Sequence, residues 1–176
     1  MKIVATPMCE EILKLAGVKE YQINLNPDST NSDIAVVLSE TNTHMKSIKL
    51  KLNTFKQIQE SVDLVRSMLG QENLEYVSAV PMDGFLRTDN RNIKVKVYSN
   101  FLKDVVEDMG FTVVTGNETP DYLVYPDYIK DEIQEEIEAL GENSVEIASH
   151  KNSPLNPVKR AEHRYELLEK KLCMKH

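Results

Sequence analysis

The fold is predicted from the opening stretch of the chain, which reads Lys2-Ile3-Val4-Ala5-Thr6-Pro7-Met8-Cys9-Glu10-Glu11-Ile12-Leu13. Residues 2–5 are apolar enough to form a short buried strand. Residues 10–16 have the apolar spacing of a helix, and Gly17 is a typical C-terminal stop. The stretch therefore predicts a strand followed by a helix, which is the building block of an α/β fold.

The same order of elements occurs twice along the chain. In each half a strand leads into a helix that ends at a glycine, and two strands separated by an Asn…Pro turn follow. The predicted strands are 2–5, 21–25 and 33–39 in the first half, and 94–98, 111–115 and 121–125 in the second. We therefore predict an α/β fold, a mixed sheet flanked by helices on both faces, in two pseudo-equivalent strand–helix–strand–strand halves. Because the halves share little sequence identity, ordinary α/β regularity explains the repeat equally well.

The rest of the chain adds further elements and no linker, so we predict a single α/β domain over 1–176. Thr54 caps an amphipathic helix that ends at Gly70, and Asn156 caps the last helix with Pro157 at its first position. The other predicted elements are a near-edge strand at 48–52, a strand at 76–80, an acidic helix at 127–140, a strand at 145–149 and the last helix at 157–172.

Composition restricts the class of protein. The 176 residues are 41% hydrophobic and 28% charged, as in soluble globular proteins, and the net charge of −7 argues against a nucleic-acid surface. No apolar run approaches the roughly 20 residues that cross a membrane, and the N-terminus has no signal-peptide pattern. The two cysteines form no metal-binding motif, so we expect no metal site. A reducing, cytoplasmic location is the simplest interpretation, and a Cys9–Cys173 disulfide is the alternative.

Cys9 is the first candidate for chemistry, because it falls where the first strand passes into the first helix. Free backbone N–H groups and the helix dipole at such a junction favour a thiolate and can receive an oxyanion. We predict Cys9 as a nucleophile, with the ligand against Thr6, Pro7, Met8 and Glu10. A small buried apolar residue is an equally weighted alternative, since cysteine is among the most buried residue types.

Two polar loops and a possible flap are the other candidates. The segment after the strand at 145–149 could surround a phosphate through Lys151, Asn152 and Ser153, and His150 could serve Cys9 as acid or base. In the segment after the strand at 33–39, a ligand could be bound by Ser39, Glu40, Thr41 and Asn42. His44 is the alternative to His150 as the acid or base. Residues 82–90 could form a flap, with Arg87 or Arg91 as an anion clamp. For each of these segments a plain connecting loop is the alternative.

The charged helices are predicted to be solvated. Five carboxylates of the acidic helix are interpreted as a solvated face: Asp131, Glu132, Glu135, Glu136 and Glu138. The last helix is basic, and its cations suit solvent exposure or contact with the acidic helix. These cations are Lys159, Arg160, His163, Arg164, Lys170 and Lys171.

The opening Met1–Glu10, on an acidic chain of this length, resembles the HcgF family, which acts in the biosynthesis of the iron-guanylylpyridinol (FeGP) cofactor of [Fe]-hydrogenase in methanogens. The resemblance implies that Cys9 accepts the carboxyl group of guanylylpyridinol as a thioester. It implies that the donor is the adenylylated form, made by a ThiF-like partner enzyme, and that AMP is released. It implies that the protein has no cofactor of its own. It leaves open whether the protein forms a homodimer.

Two other classes of function compete with this thioester-forming enzyme. One is a non-catalytic module that binds a nucleotide or small anion through the 149–157 loop, without a role for Cys9. The other is an interaction or scaffold protein that uses its acidic and basic helices. Replacement of Cys9 separates the enzyme from both, because only the enzyme loses a covalent product.

Overall fold

The structure, a computed structural model, describes residues 1–70, 90–149 and 152–173. The chain divides into two compact units. Unit 1 is Met1–Met82 with Leu155–Val158, and unit 2 is Asp83–Pro154 with Lys159–His176. The single domain over 1–176 stays a prediction.

Unit 1 contains a four-stranded sheet with the order β2-β1-β3-β4, in which all neighbouring strands run parallel. Its inner strand β3 is buried over nearly its whole length, as expected for a strand of a parallel sheet, which is normally covered on both faces. The edge strand β4 alternates between buried and exposed residues, which confirms its predicted place near an edge. The elements are β1 (Ile3–Ala5), α1 (Glu10–Leu15), β2 (Gln22–Ile23), β3 (Ile34–Leu38), β4 (Ser47–Leu50) and α2 (Phe55–Leu69).

Unit 2 contains a second parallel sheet, with the order β6-β5-β7-β8. All five residues of its central strand β7 are buried. Its elements are β5 (Lys94–Val97), α3 (Asn100–Asp108), β6 (Thr112–Val114), β7 (Tyr122–Pro126), α4 (Gln134–Leu140), β8 (Ser144–Ile147) and α5 (Pro157–Leu168), of which the part from Lys159 belongs to unit 2.

The two sheets have the same strand order, which confirms the predicted α/β class and its two strand–helix–strand–strand halves. The hydrogen bonds repeat as well. Asp33 accepts from the Lys2 backbone N–H at 2.6 Å, and Asp121 accepts from the Lys94 N–H at 2.7 Å. The strands of the two halves form separate sheets, one in each unit, and each sheet is parallel throughout the described pairings.

Helix ends follow the local signals in the sequence. Thr54 and Gln57 form a capping box at the start of α2, and Asn156 Oδ1 accepts from Val158 N–H at 3.0 Å. Gly17 and Gly110 take positive φ angles of 77° and 84° after α1 and α3.

Three predicted elements differ from the structure, and a fourth cannot be compared with it. The predicted strand at 21–25 is reduced to Gln22–Ile23. The acidic segment begins as a 3₁₀ turn, Asp127–Ile133, whose Ile133 packs against Leu123 and Tyr125, and α4 starts only afterwards. The last helix ends at Leu168, and residues 169–173 continue it as a π turn. The predicted strand at 76–80 lies outside the described residues.

One ion pair in unit 2 makes stability depend on pH. Glu136 accepts from Lys96 Nζ at 2.5 Å and from the Tyr98 hydroxyl, and the Lys96 hydrogen bond is the largest cause that holds the pKa of Glu136 below its ordinary value. A lowered folded pKa stabilises the protein above the unfolded pKa, and this stabilisation is lost as the pH falls through the folded value.

We therefore expect Glu136→Gln to lower the free energy of unfolding by about 0.5–1 kcal/mol at neutral pH, since the pair is partly exposed. The difference from wild type should be fully present above the ordinary pKa of 4.5 and should vanish as the pH falls through the lower folded pKa of Glu136. Urea titrations at neutral and acidic pH measure it, with the exposed Glu132→Gln as control. A destabilisation that is independent of pH would contradict this role for the pair.

Candidate functional site

Cys9 ends a 3₁₀ turn, Pro7–Cys9, that connects β1 to α1. Thr6 N–H donates to Val36 O at 3.1 Å, so sheet pairing continues past the end of β1 into this turn. Cys9 N–H then donates to Thr6 O at 2.9 Å and closes the turn, while Pro7 provides a fixed φ at its first position. Cys9 therefore lies at the carboxyl end of a central parallel strand, at the junction that the sequence predicts.

The Cys9 side chain is fully buried, with 0% exposure. The hydroxyl of the buried Thr6 donates to Cys9 Sγ at 3.5 Å. Both cysteines lie in the described part of the chain, and neither forms a disulfide. Because the side chain is fully buried, a reagent can reach Sγ only when the structure around Cys9 opens.

The other predicted ligand residues of this turn are only partly covered. Pro7, Met8 and Glu10 are half-buried. Glu10 forms an ion pair with Lys14 at 2.9 Å along α1, which partly offsets its negative charge beside the thiol.

The polar loop after β3 meets the turn at the same edge of the sheet, because β1 and β3 are parallel neighbours. Its groups are already engaged with one another and with β4. Ser39 Oγ donates to Glu40 at 2.6 Å, Ser39 N–H donates to Leu50 O at 2.8 Å, and Thr41 O accepts from Lys49 Nζ at 3.0 Å. Asn42 is exposed. The structure thus brings Ser39–Asn42 to the edge that carries Cys9, as a loop held by its own hydrogen bonds.

His44 lies elsewhere. It precedes β4, at the amino edge of the sheet, whereas Cys9 follows the carboxyl end of β1. The His44 N–H donates to the Asp28 carboxylate at 3.1 Å. The Thr43 hydroxyl also donates to Asp28 at 2.6 Å, and this bond is the main cause that lowers the Asp28 pKa. The topology therefore separates His44 from the thiol.

The predicted phosphate loop at 149–157 belongs to unit 2 up to Pro154 and is only partly described. His150 and Lys151 lie outside the described residues, as does the predicted flap up to residue 89 with Arg87, so the pairing of His150 with Cys9 stays a prediction. Asn152 Nδ2 donates to Asp127 at 2.8 Å. Burial alone would raise the pKa of Asp127, but hydrogen bonds from Asn152 and Ser149 hold it below its ordinary value. The Ser153 hydroxyl is buried and has no hydrogen-bond partner among the described residues.

Two arginines of α5 correct the expectation that this helix is solvated throughout. Arg160 is 1% exposed and Arg164 is 2% exposed. Arg160 Nη1 donates to Pro154 O at 2.9 Å, and the Arg164 guanidinium lies 4.5 Å from the centre of the Phe101 ring. The sequence carried a signal for their burial, since Arg160, Arg164 and the buried Leu168 follow one another at four-residue spacing and share one face of the helix.

A groove of about 450 Å³ lies in unit 1 at the amino ends of β1 and β2, lined by residues 1–3, 20–22 and 31–32. Its lining does not include Cys9 or the loop after β3. Within the described ranges, no cluster of three or more histidine, cysteine or acidic side chains is arranged to hold a metal ion. No described helix combines the length and the apolar character needed to span a membrane.

Comparisons with protein-family models, with curated proteins and with solved structures found no match to this chain.

Proposed function

We propose that this protein is a thioester-forming enzyme whose Cys9 accepts an activated carboxyl group. The observation that carries the proposal is the location of Cys9 at the carboxyl end of a central parallel strand, the edge where α/β proteins bind ligands. The resemblance of Met1–Glu10 to the HcgF family supplies the substrate, adenylylated guanylylpyridinol from a ThiF-like partner. The proposed place of action is FeGP cofactor biosynthesis in the cytoplasm.

The proposed step balances without any further reactant. The Cys9 thiolate attacks the carbonyl carbon of the acyl adenylate, so that a C–S bond forms while the bond from the carbonyl carbon to the phosphate oxygen breaks. AMP leaves with the electron pair of that bond, and the thiol proton passes to a base or to solvent. The Thr6 hydroxyl supports this role, because a donor 3.5 Å from Sγ stabilises the thiolate.

Complete burial of Cys9 adds a requirement to the proposal. The acyl donor must bind while the structure around Cys9 opens, since the closed structure leaves Sγ inaccessible. A buried resting thiol is also shielded from oxidation and alkylation, which suits a residue that acts once for each bound ligand.

Incubation of the protein with adenylylated guanylylpyridinol, followed by intact-mass measurement, tests the proposal. Wild type and Cys173→Ser should gain the mass of guanylylpyridinol minus water, and the adduct should disappear on treatment with neutral hydroxylamine. Cys9→Ser should gain none. Equal labelling of Cys9→Ser would overturn the assignment of the nucleophile.

The alternative is a module that binds a nucleotide or small anion without chemistry at Cys9. The same burial favours it, because a fully buried cysteine is also what a structural residue looks like. Under this alternative, equilibrium dialysis would show equal ligand binding by wild type and Cys9→Ser, and neither protein would acquire a covalent adduct.

A further inference from the structure

Arg164 carries a buried positive charge on α5. The side chain is 2% exposed, and its Nε, Nη1 and Nη2 atoms are buried without a hydrogen-bond partner among the described residues. Buried guanidinium groups are normally paired, because leaving a charged donor desolvated and unbonded is strongly unfavourable. Arg164 therefore has the properties expected of a residue that binds an anion.

The surroundings of Arg164 in unit 2 are positive and aromatic. The guanidinium lies against the Phe101 ring at 4.5 Å, in the first turn of α3. Burial, together with the positive charge of Arg160, lowers the pKa of Arg164 to about 10, so that it stays protonated at neutral pH. Arg160 in turn donates to Pro154 O, and the preceding residue, Ser153, has a buried hydroxyl.

The internal repeat relates the surroundings of Arg164 in unit 2 to the surroundings of Cys9 in unit 1. Lys2 and Lys94 make equivalent hydrogen bonds in the two sheets, and Phe101 is as far along the chain from Lys94 as Cys9 is from Lys2. Phe101 thus holds the position in unit 2 that Cys9 holds in unit 1. Both positions follow the carboxyl end of a central strand, where ligands bind in α/β folds.

We propose that unit 2 binds a phosphate group on Arg164, with Arg160 supplying a second positive charge. The planar guanidinium presents donors that match two phosphate oxygens. A phosphate monoester carries close to two negative charges at neutral pH, so it interacts more strongly with two nearby cations than a carboxylate does. The Ser153 hydroxyl is a further donor available in the same unit. The site is independent of chemistry at Cys9.

Isothermal titration of Cys9→Ser protein in phosphate-free buffer tests the proposal without interference from thioester formation. We expect inorganic phosphate and AMP to bind, and acetate to bind at least about tenfold more weakly. Arg164→Gln should weaken phosphate binding at least about tenfold, whereas Lys170→Gln, an exposed cation of the same C-terminal segment, should leave it unchanged. Tighter binding of AMP than of phosphate would indicate a phosphate ester as the natural ligand, and equal binding would indicate free phosphate; both results support the site.

Arg164→Met provides a second test, which measures thermal stability and does not depend on a loss of phosphate affinity. Without phosphate, this variant should have a higher Tm than the parent, because it removes a buried charge while keeping an apolar contact to Phe101. Phosphate should raise the Tm of the parent and not that of the variant. A lower Tm for Arg164→Met in phosphate-free buffer, an equal response of both proteins to phosphate, or acetate binding as tight as phosphate binding would each overturn the proposal.

Discussion

Native protein should react with iodoacetamide at Cys9 at least about a hundredfold more slowly than protein unfolded in urea. Cys9 Sγ is fully buried, and its turn is held by hydrogen bonds from Thr6 N–H to Val36 O and from Cys9 N–H to Thr6 O. If alkylation requires this turn to open at a cost of roughly 3 kcal/mol, the accessible fraction falls by about that factor.

Cys173 is the internal control in the same molecule. It is partly exposed, and burial raises the pKa of its thiol, so in the native protein it should react more slowly than a peptide cysteine and much faster than Cys9. Peptide mass spectrometry of a labelling time course measures both residues together. Labelling of Cys9 in native protein as fast as Cys173 would show that the turn is open at rest, contrary to the buried geometry.

Leu123→Ala should lower the free energy of unfolding by about 2–5 kcal/mol. Leu123 is fully buried in β7, one of the two inner strands of the unit 2 sheet, and packs with Tyr125 and Ile133. Truncation leaves a cavity that the rigid strand cannot fill. Urea unfolding followed by circular dichroism measures the loss. Leu25→Ala is the matched control. Leu25 is 83% exposed, so its truncation should leave the free energy of unfolding almost unchanged. A loss below about 1 kcal/mol for Leu123→Ala would mean that β7 is not the core of unit 2.

The α/β class and its repeat could be predicted because they depend on local signals. Apolar runs such as Ile34–Val37, the capping Thr54, and the glycines after α1 and α3 act over a few residues and are visible in the sequence. Strand pairing is not local. The sequence predicted two similar halves, but it did not say that each half would complete its own four-stranded parallel sheet.

The candidate site was less predictable, because burial depends on what covers a side chain. The position of Cys9 at the junction followed from the strand and helix pattern. Its complete burial is a tertiary property, and its turn packs against β3, which is distant in the sequence. Arg160 and Arg164 show the limit most clearly. Because an arginine is usually exposed, the residue types predicted a solvated helix. Only the four-residue spacing of these arginines with Leu168 indicated a buried face. Departures from the usual burial of each residue type are expected at functional or strained sites.

The central claim is that Cys9 carries an acyl group, and the most direct test is the mass of the protein isolated from cells that make the proposed acyl donor. We predict an adduct of guanylylpyridinol mass minus water, mapped to the peptide that contains Cys9 and removed by neutral hydroxylamine. An unmodified Cys9 peptide in such cells, or a hydroxylamine-labile adduct mapped to another residue, would contradict it.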